Sequence, residues 1–192
     1  MINGVVPDSS IVPVARDDDY FFGVLHSRLH EVWSLRMGTW LGVGNDPRYT
    51  PTTTFETFPF PFVPGTEDFS DPRVRAISAA AKALNEERDA WLNPAAGELR
   101  SHDARERTLT NLYNALQAYR GIGRATGLKA AAVAFAPRLD ALHRALDEAV
   151  VAAYGWDAGE TVFRGETEFR LDDDEAILRN LLALNAARAG VA

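Results

Sequence analysis

The 192-residue sequence contains no cysteine. This absence excludes disulfide scaffolds, thiolate zinc sites, iron–sulfur clusters and cysteine nucleophiles. No apolar run approaches the roughly eighteen residues that a membrane-spanning helix needs, and the opening Met-Ile-Asn-Gly lacks the basic and apolar parts of a signal peptide. We therefore expect a protein without a membrane partner that works in the cytoplasm.

Basic residues are also too few to form a nucleic-acid-binding arm. The chain holds 20 Lys and Arg against 27 Asp and Glu, which gives a net charge of −7. Their distribution is uneven, because residues 73–146 carry an excess of bases whereas residues 147–192 hold four bases against ten acids. If the protein binds DNA, most of the phosphate neutralisation should come from another part of a larger protein.

Residues 1–65 predict a small, irregular α/β unit. Apolar side chains at spacings of three and four indicate a helix over residues 19–37, which Gly38 would end. The glycines and prolines that follow rule out a long helix and favour extended segments at 39–43 and 53–58.

Phenylalanine and proline then alternate in Phe58-Pro59-Phe60-Pro61. Proline restricts its own backbone and that of the preceding residue, so this segment should form an extended, polyproline-like strap. We expect Phe58 and Phe60 to be packing residues, with Trp33 of the first helix beneath or beside them.

Residues 70–192 predict an all-helical domain of four or more helices, so the fold class is mixed and mainly α. Each predicted helix carries its own start signal and apolar seam, which should allow the unit to fold without residues 1–65. The start signals are Asp71-Pro72, Ser101, Pro137 and the Asp172/Glu175 capping box. Residues 160–170 give a weak hairpin signal around a glycine.

No arrangement of residues predicts a catalytic or metal site. His26 and His30 lie four apart on the first predicted helix, but the zincin pattern requires a glutamate where Ser27 stands. We expect both histidines to pack or to form hydrogen bonds on a polar helix face, and His102 and His143 to lie singly on helix surfaces. The glycines of residues 121–127 follow a helix, so a linker is favoured over a dinucleotide-binding turn.

Residues 45–50 read Asn-Asp-Pro-Arg-Tyr-Thr. The segment is similar to the catalytic Asn/Asp-Pro-Pro-Tyr/Phe loop of amino-methyltransferases, but Arg48 replaces the second proline and no glycine-rich cofactor cradle precedes it. In an extended segment Asp46, Arg48 and Thr50 would point to one side, with Asn45 adjacent. Arg, Asn and Asp side chains can read base edges, although spacing alone favours an ordinary solvent-facing loop.

Several motifs in the same order resemble one family. The chain is similar to the C-terminal part of MmeI-like (type IIL) DNA methyltransferases, many of which are fused to a nuclease. The motifs are Tyr-Phe-Phe-Gly-Val-Leu-His-Ser-Arg-Leu-His-Glu-Val-Trp (20–33), Asn-Asp-Pro-Arg-Tyr-Thr (45–50), Phe-Glu-Thr-Phe-Pro-Phe-Pro (55–61), Leu-Thr-Asn-Leu-Tyr-Asn (109–114) and Ala-Tyr-Gly-Trp (153–156).

The resemblance implies a restriction–modification or phage-defence protein that methylates the N6 amine of adenine, using S-adenosylmethionine. The cofactor cradle and catalytic loop would lie in a methyltransferase domain upstream of residue 1. This chain would then have no cofactor and no activity alone, and would bind double-stranded DNA only as part of the parent protein. It would form the end of the target-recognition domain (1–65) and the C-terminal helical domain (70–192). The resemblance also implies that the residues that contact bases would be Asp46, Arg48 and Thr50, with Asn45 adjacent.

Two other functions stay open. The chain could be a stand-alone helical adaptor that binds a protein partner through the Phe-Pro strap. It could also be an enzyme with an unrecognised site, which the lack of a catalytic constellation disfavours.

Overall fold

A computed structural model describes residues 12–41, 46–95, 105–156 and 171–190. Seven helices and one two-stranded antiparallel sheet occur in these residues, which confirms the predicted mixed, mainly α fold class. Within the same residues, no helix is both long and apolar enough to span a membrane. The helices are α1 (Asp19–His26), α2 (Arg28–Met37), α3 (Pro51–Thr54), α4 (Pro72–Leu92), α5 (Leu109–Tyr119), α6 (Ala130–Tyr154) and α7 (Leu171–Ala189), and the strands are β1 (Thr39–Leu41) and β2 (Asp46–Arg48).

The single helix predicted over residues 19–37 is wrong at Ser27, where the chain turns between α1 and α2. Ser27 has an extended backbone (φ −75°, ψ 155°) and is the C-cap of α1 and the N-cap of α2. Its hydroxyl donates to the Val24 carbonyl at 2.7 Å and accepts from the His30 amide at 3.5 Å. The apolar spacing continues across the break, so periodicity alone could not reveal it.

A buried carboxyl group of α6 contacts the same break. Asp147 of α6 is 2% exposed, and its Oδ1 accepts a hydrogen bond from the Arg28 amide at 2.7 Å. This amide is in the first turn of α2, where main-chain N–H groups lack helical partners and favour a negative charge. Burial nevertheless dominates and raises the pKa of Asp147 to about 7.

The raised pKa predicts a specific dependence of stability on pH. An acid whose pKa is higher in the folded than in the unfolded state stabilises the fold fully below its unfolded pKa, here 3.8, and loses that contribution as the pH rises to about 7. Between pH 5 and pH 8, wild-type protein should therefore lose about 2–3 kcal/mol of stability relative to Asp147→Asn, which retains an oxygen acceptor for the Arg28 amide. Urea unfolding of both proteins across this range tests the prediction. Histidine titrations are common to both proteins and cancel, so parallel stability curves would refute the assigned burial.

The extended segment predicted at residues 53–58 is also wrong, because α3 occupies its first part. Pro51 stands at the start of this helical turn, where its missing N–H costs nothing. The Thr54 hydroxyl donates to the Thr50 carbonyl at 2.8 Å, and the Thr53 hydroxyl donates to the same oxygen at 3.3 Å. Local bonds from threonine side chains to the main chain thus favour a turn over a strand.

The predicted helix starts have mixed outcomes. Asp71 caps α4 as expected, accepting a hydrogen bond from the Arg73 amide at 2.8 Å. Thr108 caps α5, whereas Ser101 lies outside the described residues. The last helix begins at Leu171, so Asp172 lies within its first turn instead of preceding it. The hairpin predicted at 160–170 lies outside the described residues.

Pro137 does not begin the third long helix, contrary to the prediction. It lies inside α6, which starts seven residues earlier at Ala130. The residues before it are mostly alanine, the strongest helix former, and Ala132 and Ala136 are buried. Packing and propensity therefore outweigh the one main-chain hydrogen bond that proline removes. Gly155 ends the helix with a left-handed backbone (φ 70°), as its position predicted.

One hydrophobic core includes side chains from both predicted units. It contains Phe21 and Trp33 from the first unit together with Ile77, Leu112, Leu146 and Ile177 from the second. Helices α1 and α4 meet so closely at Gly23 that a Cβ there would lie 2.8 Å from the Ala81 Cβ. Independent folding of residues 70–192 stays a prediction. Because the core is shared, removal of residues 1–65 would expose apolar side chains of the helical unit.

The Phe-Pro strap is fixed to the helices on both sides. Phe58 and Phe60 are buried, with Phe60 stacked on Phe21 and Phe58 edge-on to Trp33 at a centroid distance of 6.2 Å. Strap carbonyls accept hydrogen bonds from α6 and α7. The Tyr154 hydroxyl donates to Pro59 at 2.9 Å, and the Arg188 guanidinium donates to Phe60 at 2.7 Å and to Pro61 at 3.4 Å.

Candidate nucleic-acid interface

Strands β1 and β2 form a small ribbon that starts at the C-terminal end of α2. In its register, Thr39 pairs with Arg48, Trp40 with Pro47 and Leu41 with Asp46. Gly38 allows the ribbon to lie this close to the helix. A Cβ at this position would lie 2.6 Å from the Ser34 carbonyl oxygen and 2.9 Å from that of Arg48. Any side chain here would therefore displace β2 from the end of α2.

Two side-chain contacts fix the base of the ribbon. The hydroxyls of Thr39 and Thr50 lie 3.1 Å apart, and the Nε2 of His30 lies 3.0 Å from the Tyr49 hydroxyl. His30 is buried edge-on against Phe58, and burial lowers its pKa to about 4. The imidazole is therefore neutral at physiological pH, and it links the ribbon to the strap.

The other histidines have structural surroundings too. His26 stacks on Phe22 at a centroid distance of 3.8 Å, and its Nδ1 lies 3.0 Å from the Phe22 carbonyl oxygen. His143 is not the isolated surface residue that the sequence predicted, because its Nε2 lies 3.0 Å from the Tyr113 hydroxyl and burial lowers its pKa to about 3. His102 lies outside the described residues, which contain no group of three or more potential metal-ligating side chains.

The outer part of the ribbon is exposed. Trp40 and Leu41 are 55% and 52% exposed, and Pro47 and Arg48 are also accessible to solvent. Residues paired across an antiparallel ribbon share a face, so the positions of Thr39 and Arg48 lie on one face and those of Trp40 and Pro47 on the other. The ribbon thus offers a cationic position on one face and an apolar position on the other.

The four residues predicted to read bases are not equivalent. Asp46 and Arg48 occupy alternate positions of β2, as the extended segment requires. Thr50 instead precedes α3, and its hydroxyl is engaged with Thr39 at the ribbon base. Asn45 lies outside the described residues.

Sequence reasoning missed the role of Tyr49 and the exposure of Trp40. Tyr49 stands beside the predicted base readers, but its contact with His30 joins residues nineteen apart and has no local sequence signal. Trp40 lies in a segment that the sequence correctly predicted to be extended. The sequence of so short a strand does not show which of its faces is exposed to solvent.

An apolar groove of about 910 Å³ lies beside the ribbon base. Residues 12–16 line it together with side chains of α1, α2 and α3, among them Leu25 and Ser34. Arg16 holds the segment of residues 12–16 through contacts with Asp18 at 2.7 Å and Glu67 at 3.0 Å. The groove is therefore a formed feature of the surface next to the ribbon.

Comparison of the chain with family models, curated proteins and solved structures finds no match. The likeness to MmeI-like methyltransferases accordingly depends on the sequence motifs alone.

Proposed function

We propose that this chain is the DNA target-recognition and C-terminal helical region of an S-adenosylmethionine-dependent N6-adenine methyltransferase in a cytoplasmic restriction–modification or phage-defence system. One observation carries the proposal. The segment to which the resemblance assigns base reading is an exposed two-stranded ribbon on a fixed base. The major groove of B-DNA is wide enough to admit such a ribbon.

The residues on β2 have suitable chemistry for base reading. The guanidinium of Arg48 can donate two hydrogen bonds to O6 and N7 of guanine, and a carboxylate at position 46 can accept from the amine of cytosine. The Gly38 contact and the Thr39–Thr50 pair limit movement of the ribbon relative to the helices, which reduces the entropic cost of placing these groups. Thr50 belongs to this support, since its hydroxyl contacts that of Thr39.

Cofactor binding and methyl transfer belong to another part of the parent protein in this proposal. Residues 45–50 differ from the catalytic Asn/Asp-Pro-Pro-Tyr/Phe loop at Arg48, which stands where that loop has its second proline. The net charge of −7 means that most nonspecific attraction to DNA would come from the upstream methyltransferase domain.

The burial of the strap makes an adaptor function less well supported than it was from the sequence alone. Phe58 and Phe60 are buried within the protein, so they are not available to a partner that would recognise the strap. An adaptor would have to use the apolar groove beside residues 12–16 instead.

Reconstitution with and without this chain tests the proposed function. The chain alone should give no stoichiometric binding of S-adenosylmethionine in calorimetry and no methylation of DNA. The upstream methyltransferase domain should bind the cofactor by itself but methylate adenine at a defined sequence only when this chain is present. Cofactor binding by the isolated chain, or sequence-specific methylation without it, would refute the proposal.

A further inference from the structure

A second polar site lies on the helical part of the molecule, between α5 and the loop that follows it. Asn111, Asn114 and Gln117 are spaced by three residues and therefore share one face of α5. Together with Arg124 and Thr126 of the loop, they line a cleft of about 300 Å³. The opposite face of α5, with Leu112 and Leu116, is buried in the core. The polar face is thus not needed to attach the helix.

The loop is held against the end of α5. The amides of Ile122 and Gly123 both donate to the Gln117 carbonyl at 3.0 Å. A Cβ at position 123 would lie 2.7 Å from the Gln117 Cβ, so this close approach requires glycine. These bonds also satisfy a carbonyl in the last turn of the helix, where unpaired oxygens would repel an anion. The position of Arg124 is consequently fixed by the main chain beside it.

Four side chains of this cleft have unused hydrogen-bonding capacity. Within the described part of the chain, Asn114, Gln117, Arg124 and Thr126 form no side-chain hydrogen bond, and Arg124 forms no ion pair. By contrast, other basic residues of this region are paired, as Arg120 is with Asp140 and Lys129 with Glu106.

The charge around the cleft favours an anion. No Asp or Glu lines it, and Glu106, whose carbonyl accepts a hydrogen bond from the Asn111 amide group, is neutralised by Lys129 at 2.8 Å. Residues 105–146 hold seven Arg or Lys against two Asp or Glu. A guanidinium, two side-chain amides and a hydroxyl are together donors suited to the oxygens of a phosphate group.

We infer that the cleft between α5 and residues 120–128 binds a phosphate group of the DNA backbone. The choice of DNA as the source of the phosphate rests on the proposed function, whereas the affinity for an anion follows from the cleft itself. Because the cleft is open to solvent, it should bind a single free phosphate only weakly. It would act as one contact among several along a DNA duplex. Such a contact positions the protein and reads no sequence.

Binding of a short fluorescent DNA duplex by this chain reconstituted with its upstream methyltransferase domain, followed by fluorescence anisotropy between about 50 and 200 mM salt, tests this inference. Arg124→Gln should weaken binding by about fivefold at low salt and lower the slope of log affinity against log salt by about 0.9. Asn114→Ala removes a donor without changing the charge and should also weaken binding. Arg179→Gln is the matched control, because Arg179 is an exposed arginine of the acidic C-terminal segment, and it should change neither quantity.

Two outcomes count against the inference. Equal losses for Arg124→Gln and Arg179→Gln, with no effect of Asn114→Ala, would show an effect of overall charge without a site. Binding of inorganic phosphate at the cleft, without any effect of Arg124→Gln on binding of the duplex by the complex, would refute the duplex as ligand. The assay contains no cofactor and measures binding alone, so DNA binding that depends on Arg124 without sequence-specific methylation would retain the site and refute the proposed function.

Discussion

Replacement of Leu146 by alanine should lower the free energy of unfolding by about 2–5 kcal/mol. Leu146 is fully buried near the middle of α6, and its Cδ1 would lie 3.2 Å from a Cβ placed at Gly23 of α1. The side chain therefore fills the place where α1, α4 and α6 come together. Truncation removes its transfer free energy and leaves a cavity that packed helices cannot easily close. Urea unfolding of wild type and variant measures the difference.

Val133→Ala is a matched control in the same helix. Val133 is 47% exposed, so the loss of its two methyl groups should change stability by less than about 0.5 kcal/mol. Unfolding of both variants at the wild-type urea midpoint would show that α6 does not present Leu146 to the core. Equal and large losses from both would indicate a helix phase different from the one described.

Local sequence signals predicted those parts of the fold that depend on local chemistry. Asp71 with the following proline marked the start of α4, and Gly155 marked the end of α6, because caps and left-handed turns are set by one or two residues. Pro137 misled because tertiary packing of an alanine-rich segment outweighs one lost hydrogen bond. The break at Ser27 depends in part on Asp147, which is 119 positions away from Arg28 and carries no local signal.

The candidate interface was predictable in position but not in detail. The extended character of residues 39–41 and the alternation of Asp46 and Arg48 followed from the sequence pattern. The support of the ribbon by His30 and Tyr49 could not be predicted from the sequence. Two histidines four residues apart can serve several purposes, and the sequence does not identify the distant residue that His30 contacts. The contact of Thr50 with Thr39 was not predicted either, because a threonine followed by proline fits a strand end and a helix start equally well.

Exchange of Asp46 and Arg48 in the full-length parent should change which base is accepted at one position of the recognition sequence. The exchange places a hydrogen-bond acceptor where a donor stood and a donor where an acceptor stood, on alternate positions of β2. A well-formed contact to a base edge is worth roughly 1–3 kcal/mol of discrimination, so the preferred base should change while overall affinity is largely kept. The local net charge is unchanged, and the salt dependence of binding should stay within about two phosphates of the original.

Exchange of Lys82 and Glu86 provides the control. These residues form an exposed i,i+4 pair on α4, with side chains 61% and 65% exposed, and their exchange also preserves composition and net charge. The control protein should methylate the wild-type sequence at the wild-type rate. A loss of specificity in this control would point to general damage instead of base reading.

Methylation of a randomised-site DNA library by the parent and by the Asp46/Arg48 exchange variant, with sequencing of the modified adenines, tests most directly whether the β1–β2 ribbon reads DNA. The expected result is a variant that methylates adenine in a sequence that differs from the wild-type sequence at one base pair. An unchanged recognition sequence with full activity would contradict the proposal and would show that residues 46 and 48 are ordinary surface positions.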